Sequence, residues 1–295
     1  MPDRVGFIGL GIMGSRMAAR LRAGGVALTV FNRTRATGEA WAAEHGADVA
    51  DSPAELGARC DVVFTMVVDG DQVREVLLGH DGAAAGAGPG TLCVDCSTIA
   101  PAQSRAIGAE LAQKGLAMLD APVTGSSPRA QDGTLTFMVG GTHADFERVK
   151  PLLEHMGSLV LRVGDLGQGE MVKLINNAMA AANAATVGQA LILGKAAGVD
   201  LDALIEVAGS GSGGSAMLEL KSRPMREHDF APLFKAEHML KDVRLCLAES
   251  EAAGVPFPAA AEAREVLEKT VAQGRGEEDF AALVLALEQL AGVVL

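Results

Sequence analysis

A doubly wound α/β domain followed by an all-α domain is the fold class this sequence predicts. Three observations predict it. In the first half, short β-rich runs alternate with Ala-rich segments of helical spacing, the pattern of a mostly parallel sheet covered by helices. Past about residue 165 the β-rich runs stop, while helical periodicity continues. At that junction MVKLINNAMAAANAATVGQALILGKAAG reads as one helix of nearly thirty residues, apolar and small almost all round. Such a helix is expected to be buried on most sides. The expected domains are residues 1–164 and 165–295, joined by this long interdomain helix.

The elements follow in order. VGFIGL opens the chain as a strand, and SRMAARLRAGG follows as a helix. Between them GLGIMG, Gly9 to Gly14, is a G-x-G-x-x-G in the strand–turn–helix context it needs. Gly9 makes the tight turn, Gly11 lets backbone approach a pyrophosphate, and Gly14 lets helix and strand pack closely. The helix N-terminus, with Ile12 and Met13 at its opening, then faces the negative charge. The predicted N-terminal fold is therefore of the Rossmann type.

The second strand, ALTVFN, runs into Asn32, Arg33 and Thr34. An NAD enzyme usually has a carboxylate here for the ribose 2′-hydroxyl. Here none is present to repel a 2′-phosphate, and a guanidinium can hold one through paired charge-assisted bonds. The expected cofactor is NADP(H), favoured over NAD(H). DVVFTMV and TLCVDCS supply two further strands, whose ends carry Val67 and Thr98 into the expected cofactor crevice. Thr98 is read as a cofactor donor or as the N-cap of the helix that begins near Pro101, PAQSRAIGAELAQKG; both roles are compatible. AMLDAPV, TFMVGG and LVLRVG complete the strands. DLDALIEVAG, FKAEHMLKDVRLCLAESEAAG, PAAAEAREVLEKTVAQG and EEDFAALVLALEQLAG are the later helices.

Composition limits the function classes. The chain has 295 residues, 49% hydrophobic and 21% charged, with a formal net charge of −12. That balance is globular, and it repels a nucleic-acid backbone. The start, MPDRVGFIGLGIMG, lacks the basic and apolar regions of a signal peptide. No apolar run approaches the roughly 18 residues of a membrane span. A soluble, cytoplasmic protein with neither nucleic-acid nor membrane partner is expected. Cys93 and Cys96 form a C-x-x-C, but on a strand these positions point to opposite faces. They read as buried strand cysteines. No ligand spacing suggests a metal.

Two segments carry chemistry. In GQGEMVKLINN, residues 167–177, Lys173, Asn176 and Asn177 fall at i, i+3 and i+4 and share a helix face. A lysine desolvated there has its pKa lowered and can exchange a proton while a hydride moves. A snorkelling lysine with helix-polar asparagines is the plainer alternative. In DAPVTGSSPRAQDGTL, Thr124, Gly125 and Ser126 form a tight turn whose N–H groups and hydroxyls suit a small carboxylate, or an ordinary Gly/Ser turn.

These motifs, in this order, resemble the β-hydroxyacid dehydrogenase family, which includes 3-hydroxyisobutyrate dehydrogenases and glyoxylate/succinic semialdehyde reductases. GFIGLGIMG resembles its dinucleotide loop and DAPVTGSSPRAQDGTL its substrate segment. GQGEMVKLINN resembles its catalytic helix start, and FAPLFKAEHMLKDVRL its C-terminal motif. The resemblance implies Lys173 as catalytic acid/base and Asn177, with Asn176, as positioning the substrate. It implies a carboxylate cradle at Thr124–Ser126, Lys241 near the nicotinamide with Phe234 beside it, and a homodimer or homotetramer. The family's usual S-G-G stands here as Thr124-Gly125-Ser126, which bears on which substrate is used. An imine reductase resembles the fold but generally lacks the lysine. A 6-phosphogluconate dehydrogenase wants a longer C-terminal domain. A non-catalytic NADPH-binding module has little use for the lysine, asparagines and turn together.

Overall fold

The structure is a computed structural model that describes residues 3–295. Contacts divide the chain into two compact units, one ending at Lys173 and one running from Leu174 to Leu295. Gly164, the expected boundary, ends the last strand.

The first unit holds nine strands among the described residues: β1 (Val5–Ile8), β2 (Leu28–Phe31), β3 (Asp48–Val49), β4 (Val62–Thr65), β5 (Leu92–Asp95), β6 (Ala117–Asp120), β7 (Val123–Thr124), β8 (Leu135–Gly140) and β9 (Gly157–Gly164). Its helices are α1 (Ile12–Ala23), α2 (Arg35–His45), α3 (Pro53–Arg59), α4 (Gly70–Leu78), α5 (Ala83–Gly86), α6 (Pro101–Gln113), α7 (Ser126–Asp132) and α8 (His143–Leu153). The sheet order is β3-β2-β1-β4-β5-β6-β8-β7, with β9 pairing β8. β3 to β6 are parallel, and the order reverses between β1 and β4. At such a switch point the carboxyl ends of the strands open a crevice. β8 runs antiparallel to β6 and β7 and parallel to β9.

Residues of one strand alternate between two cores. Phe7, Val30, Phe64 and Val94 lie in one; Ile8, Val63 and Cys93 lie in the other. Both faces are covered, so β1, β4 and β5 are apolar at nearly every position. The rings of Phe7 and Phe64 stack at 6.0 Å on adjacent strands; burying each contributes roughly 1.5–3 kcal/mol. Cys93 and Cys96 fall in different cores, as strand alternation requires, and all four cysteines are free thiols.

The second unit is helical: most of α9 (Gln168–Ala196), then α10 (Leu201–Ser210), α11 (Ala216–Glu227), α12 (Ala236–Ala252), α13 (Pro258–Ala272), a 3₁₀ turn (Phe280–Ala282) and α14 (Leu283–Ala291). Ala178, Ala181 and Ala184 give α9 a narrow buried stripe, and a Cβ on Gly188 would stand 3.0 Å from Leu287. Small residues there let α14 approach closely. Burial on most sides is not what α9 shows. Ile175, Met179 and Leu193 are 41%, 55% and 70% exposed, so one apolar face stays open. α11, which is not among the helices expected above, carries Pro224 inside it. Among the described residues no helix is long and apolar enough to cross a membrane.

Candidate active site

The glycine loop sits at the switch point of the first unit. Gly9 takes φ +96°, and a Cβ there would stand 2.3 Å from the Met66 carbonyl. A Cβ on Gly14 would stand 2.0 Å from the Gly9 carbonyl. Both glycines are required by packing inside the protein. Gly11 differs: a Cβ there would meet nothing within 4 Å among the described residues. The space before Gly11 is therefore open to a ligand. Gly11 is also the N-cap of α1, with no side-chain cap and no acid in the first turn, beside exposed Ile12 and half-buried Met13. Free N–H groups and a positive helix end facing open space fit a pyrophosphate.

Asn32 braces this loop. Its Oδ1 accepts the Leu10 N–H at 3.0 Å, and its Nδ2 donates to the Thr34 carbonyl at 3.0 Å. Arg33 is exposed, and among the described residues no hydrogen bond or ion pair holds its guanidinium. Thr34 is the N-cap position of α2 without using its hydroxyl to cap. A cleft of about 160 Å³ opens here, lined by Asn32, Arg33, Arg35 and Asp51 among others. A carboxylate does therefore reach the cleft from beyond β3. Arg35 answers it, bonding Asp51 at 2.5 Å and Glu39 at 2.7 Å.

Beyond β4 and β5 the backbone is held by a buried carboxyl. Asp95 Oδ1 accepts from Thr65 Oγ1 at 2.7 Å and from the Ser97 N–H at 3.1 Å; Ser97 Oγ in turn accepts the Val67 N–H at 3.0 Å. Burial pushes the Asp95 carboxyl above its ordinary range. This network sets Val67 and the half-buried Thr98. Thr98 is not a helix cap: Ala100 holds the N-cap position of α6, immediately before Pro101, and its N–H donates to Gln103 Oε1 at 3.3 Å.

Thr124 ends β7, paired with Thr136. The expected tight turn includes two residues at positive φ. Gly125 takes φ +130° and Ser126 φ +58°, a left-handed position rare for serine, before α7 begins at Ser126. Pro128 lies inside α7.

Lys173 lies in the second turn of α9 and is 8% exposed. A lysine is seldom buried this far unless it is partnered or has a task. Asn177 lies on the same buried stripe, at 4% exposure, and Asn176 at its margin. In the second unit the two asparagines start a polar chain. Asn176 Nδ2 donates to Asn177 Oδ1 at 3.1 Å, and Asn177 Nδ2 donates to Asp242 Oδ2 at 2.7 Å. Lys241 Nζ stands 3.3 Å from Asp242 Oδ1. Asp242 was missed as a site residue in sequence reading, although it follows Lys241 directly within the C-terminal motif FAPLFKAEHMLKDVRL. Phe234 follows a loop clamped by Asp279, whose Oδ2 accepts the Leu233 and Phe234 N–H groups at 3.1 Å each. Asp279 is itself paired with buried Lys221 at 2.7 Å.

Residues 4–164 match the family described as the NAD binding domain of 6-phosphogluconate dehydrogenase. Residues 167–287 match the one described as the NAD-binding of NADP-dependent 3-hydroxyisobutyrate dehydrogenase. The chain is 35% identical to 2-(hydroxymethyl)glutarate dehydrogenase of Eubacterium barkeri, over 98% of this chain and 96% of that one. It is 35% identical to 2-hydroxy-3-oxopropionate reductase of Escherichia coli, over 98% of each. Among solved structures, Mycobacterium tuberculosis 3-hydroxyisobutyrate dehydrogenase with L-serine superposes with a TM-score of 0.89 at 32% identity, covering 97% of this chain and 99% of that one.

Proposed function

The chain belongs to the β-hydroxyacid dehydrogenase family of NAD(P)-dependent oxidoreductases, and from that premise we propose that it interconverts a small β-hydroxyacid and its semialdehyde, favours NADPH, and uses Lys173 as general acid/base. The observation that carries the reading is the burial of Lys173, at 8% exposure, on a helix whose first turn is fixed to the sheet.

The bound nicotinamide supplies or accepts the hydride. In the reducing direction Lys173 gives a proton to the forming alkoxide; in the oxidising direction it takes that proton back. Thr124, Gly125 and Ser126 hold the substrate carboxylate through hydroxyls and backbone N–H groups. Asn177, with Asn176, positions the substrate. Gly11, Ile12 and Met13 present the α1 terminus to the pyrophosphate, and Val67 and Thr98 border the same crevice. Arg33, exposed and unpaired among the described residues, supports the NADPH preference. Phe234 and Lys241 are assigned to the nicotinamide end. The open apolar face of α9 supports a homodimer or homotetramer, and a cytoplasmic location completes the reading.

The test is oxidation of NADPH, with NADH in parallel, against glyoxylate, succinic semialdehyde, methylmalonate semialdehyde and tartronate semialdehyde. Turnover with NADPH is expected, and Lys173→Ala should lower kcat by roughly 10²–10⁴-fold while NADPH still binds. Full turnover in that variant refutes the lysine assignment. Equal kcat/KM with both nicotinamides refutes the preference.

A further inference from the structure

Two fully buried carboxylates of the first unit, Asp120 and Glu170, have no place in the site as built so far. Asp120 ends β6. Its Oδ1 accepts the Gly167 N–H at 2.7 Å, and its Oδ2 accepts the Glu170 N–H at 2.7 Å. α9 begins at Gln168, so the Glu170 N–H is one of the donors that a helix start leaves without an intrahelical acceptor. Asp120 satisfies it and sets a carboxylate at the positive end of the helix.

The origin of this cap matters. α3, α4, α8, α10 and α11 are capped locally, by Ser52, Asp69, Thr142, Asp200 and Ser215. A local cap stabilises a helix wherever the helix lies. Asp120 is 50 residues before Glu170 and belongs to the sheet. It therefore fixes where α9 starts as well as whether it forms. The glycines of GQG permit the approach. Gly167 takes φ +91°, and a Cβ on Gly169 would stand 2.3 Å from the Met138 carbonyl and 2.8 Å from Asp120 Oδ2. Glu170 adds a second tie: its Oε2 accepts the Ile99 N–H at 3.2 Å, next to Thr98. Lys173 is three residues further along this anchored turn.

We propose that Asp120 and Glu170 are positioning residues: Asp120 sets the place of Lys173 by anchoring the first turn of α9 to β6, and Glu170 locks that turn to the Ser97–Ile99 loop. The inference rests on Lys173 as acid/base. A shift of about 1 Å in a catalytic group can cost on the order of a hundredfold in rate.

The experiment measures kcat, KM, the pH profile of kcat, NADPH Kd and Tm for Asp120→Asn, Glu170→Gln, Glu170→Ala and Lys173→Ala, with the fastest aldehyde of the panel. In Asp120→Asn one acceptor oxygen becomes an NH₂ that opposes a backbone N–H. The expected result is a kcat lower by on the order of a hundredfold with a displaced pH profile, while KM and NADPH Kd move by less than about threefold. Glu170→Gln keeps an acceptor for Ile99 and should hold kcat, whereas Glu170→Ala should not. A lower Tm with parental kcat and pH profile in Asp120→Asn would overturn the proposal, leaving a purely structural cap. If Asp120→Asn does not fold, the Glu170 pair decides, and parental kinetics in Glu170→Ala overturns it. Turnover retained in Lys173→Ala identifies the failure as that of the lysine assignment; an inactive Lys173→Ala beside fully active Asp120→Asn and Glu170→Ala identifies it as that of the positioning.

Discussion

Asn177 donates its side-chain amide to Asp242 at 2.7 Å, and both residues are almost wholly buried, at 4% and 1% exposure. A hydrogen bond to a buried carboxylate contributes about 1.5–3 kcal/mol, and leaving either partner unsatisfied costs a similar amount. Asp242→Ala and Asn177→Ala should each destabilise the fold. The double variant should cost less than the sum, with a coupling of about 0.5–3 kcal/mol measured by denaturant unfolding. Simple additivity would show that the two side chains act independently.

Arg33 offers a charge to the cleft, while the charge of Arg35 is met by Asp51 and Glu39. Arg33→Ala should therefore weaken NADPH binding by roughly 10–100-fold, the equivalent of one charge-assisted bond. NADH binding should hardly change. Fluorescence titration with both cofactors reads the difference, and an equal loss for both would place Arg33 away from the 2′-phosphate.

Gly11 and Gly14 should separate binding from folding. Alanine at Gly14 pushes a methyl into the Gly9 carbonyl and should destabilise by about 1–3 kcal/mol. Alanine at Gly11 meets open space, so stability should stay within about 0.5 kcal/mol, while NADPH affinity falls. Unchanged NADPH affinity in Gly11→Ala would remove the pyrophosphate from that position.

The three glycines show what a sequence makes legible. Their spacing reports a backbone demand that few other arrangements have, so the loop, the helix after it and the fold could be read directly. Helical spacing alone puts Lys173 and Asn177 on one stripe, and the roles expected of them came from the resemblance to the family's motif. Asp120, Glu170 and Asp242 were not legible as parts of a site. Their partners lie 47 to 71 residues away, and only the folded sheet or helix bundle brings them together. Thr98 was assigned a possible cap two residues too early, because proline at the first helical position puts the cap immediately before it.

Lys221 and Asp279 form a 2.7 Å ion pair, both almost fully buried, with Lys221 Nζ also 4.3 Å from the centre of the Phe280 ring. Removing one partner leaves a buried charge. Lys221→Met should cost about 3–5 kcal/mol in unfolding followed by circular dichroism. It should also loosen the loop before Phe234, which Asp279 holds. A loss under about 1 kcal/mol, the usual worth of an exposed pair, would show that water reaches this site.

Asp61 is gripped by Arg4 through two guanidinium bonds, at 2.8 and 3.0 Å, and one backbone N–H at 2.9 Å. These hold its carboxyl down at about 2, against an ordinary 3.8. A carboxyl lowered on folding stabilises above its ordinary value, and that stabilisation is lost as pH falls from 3.8 to about 2. Asp95 and Asp120, raised by burial, act in the opposite sense: their contribution is lost as pH rises past the ordinary carboxylate range. The readout is therefore the difference between parent and Asp61→Asn. Over that acid window the parent should lose stability more steeply, and parallel curves would show that the Arg4 contact is not kept in solution.

Burial of the four thiols has a kinetic consequence. Cys60 is pushed up to about 11 and Cys93 to about 12, with Cys96 and Cys246 also raised, so in the closed protein little thiolate forms and none is reachable. A thiol reagent can then react only through opening events. Cys60, Cys93 and Cys96 lie in the α/β unit and Cys246 in the helical one. Their labelling rates are separate clocks for the opening of each unit, carried by the natural sequence without an added probe.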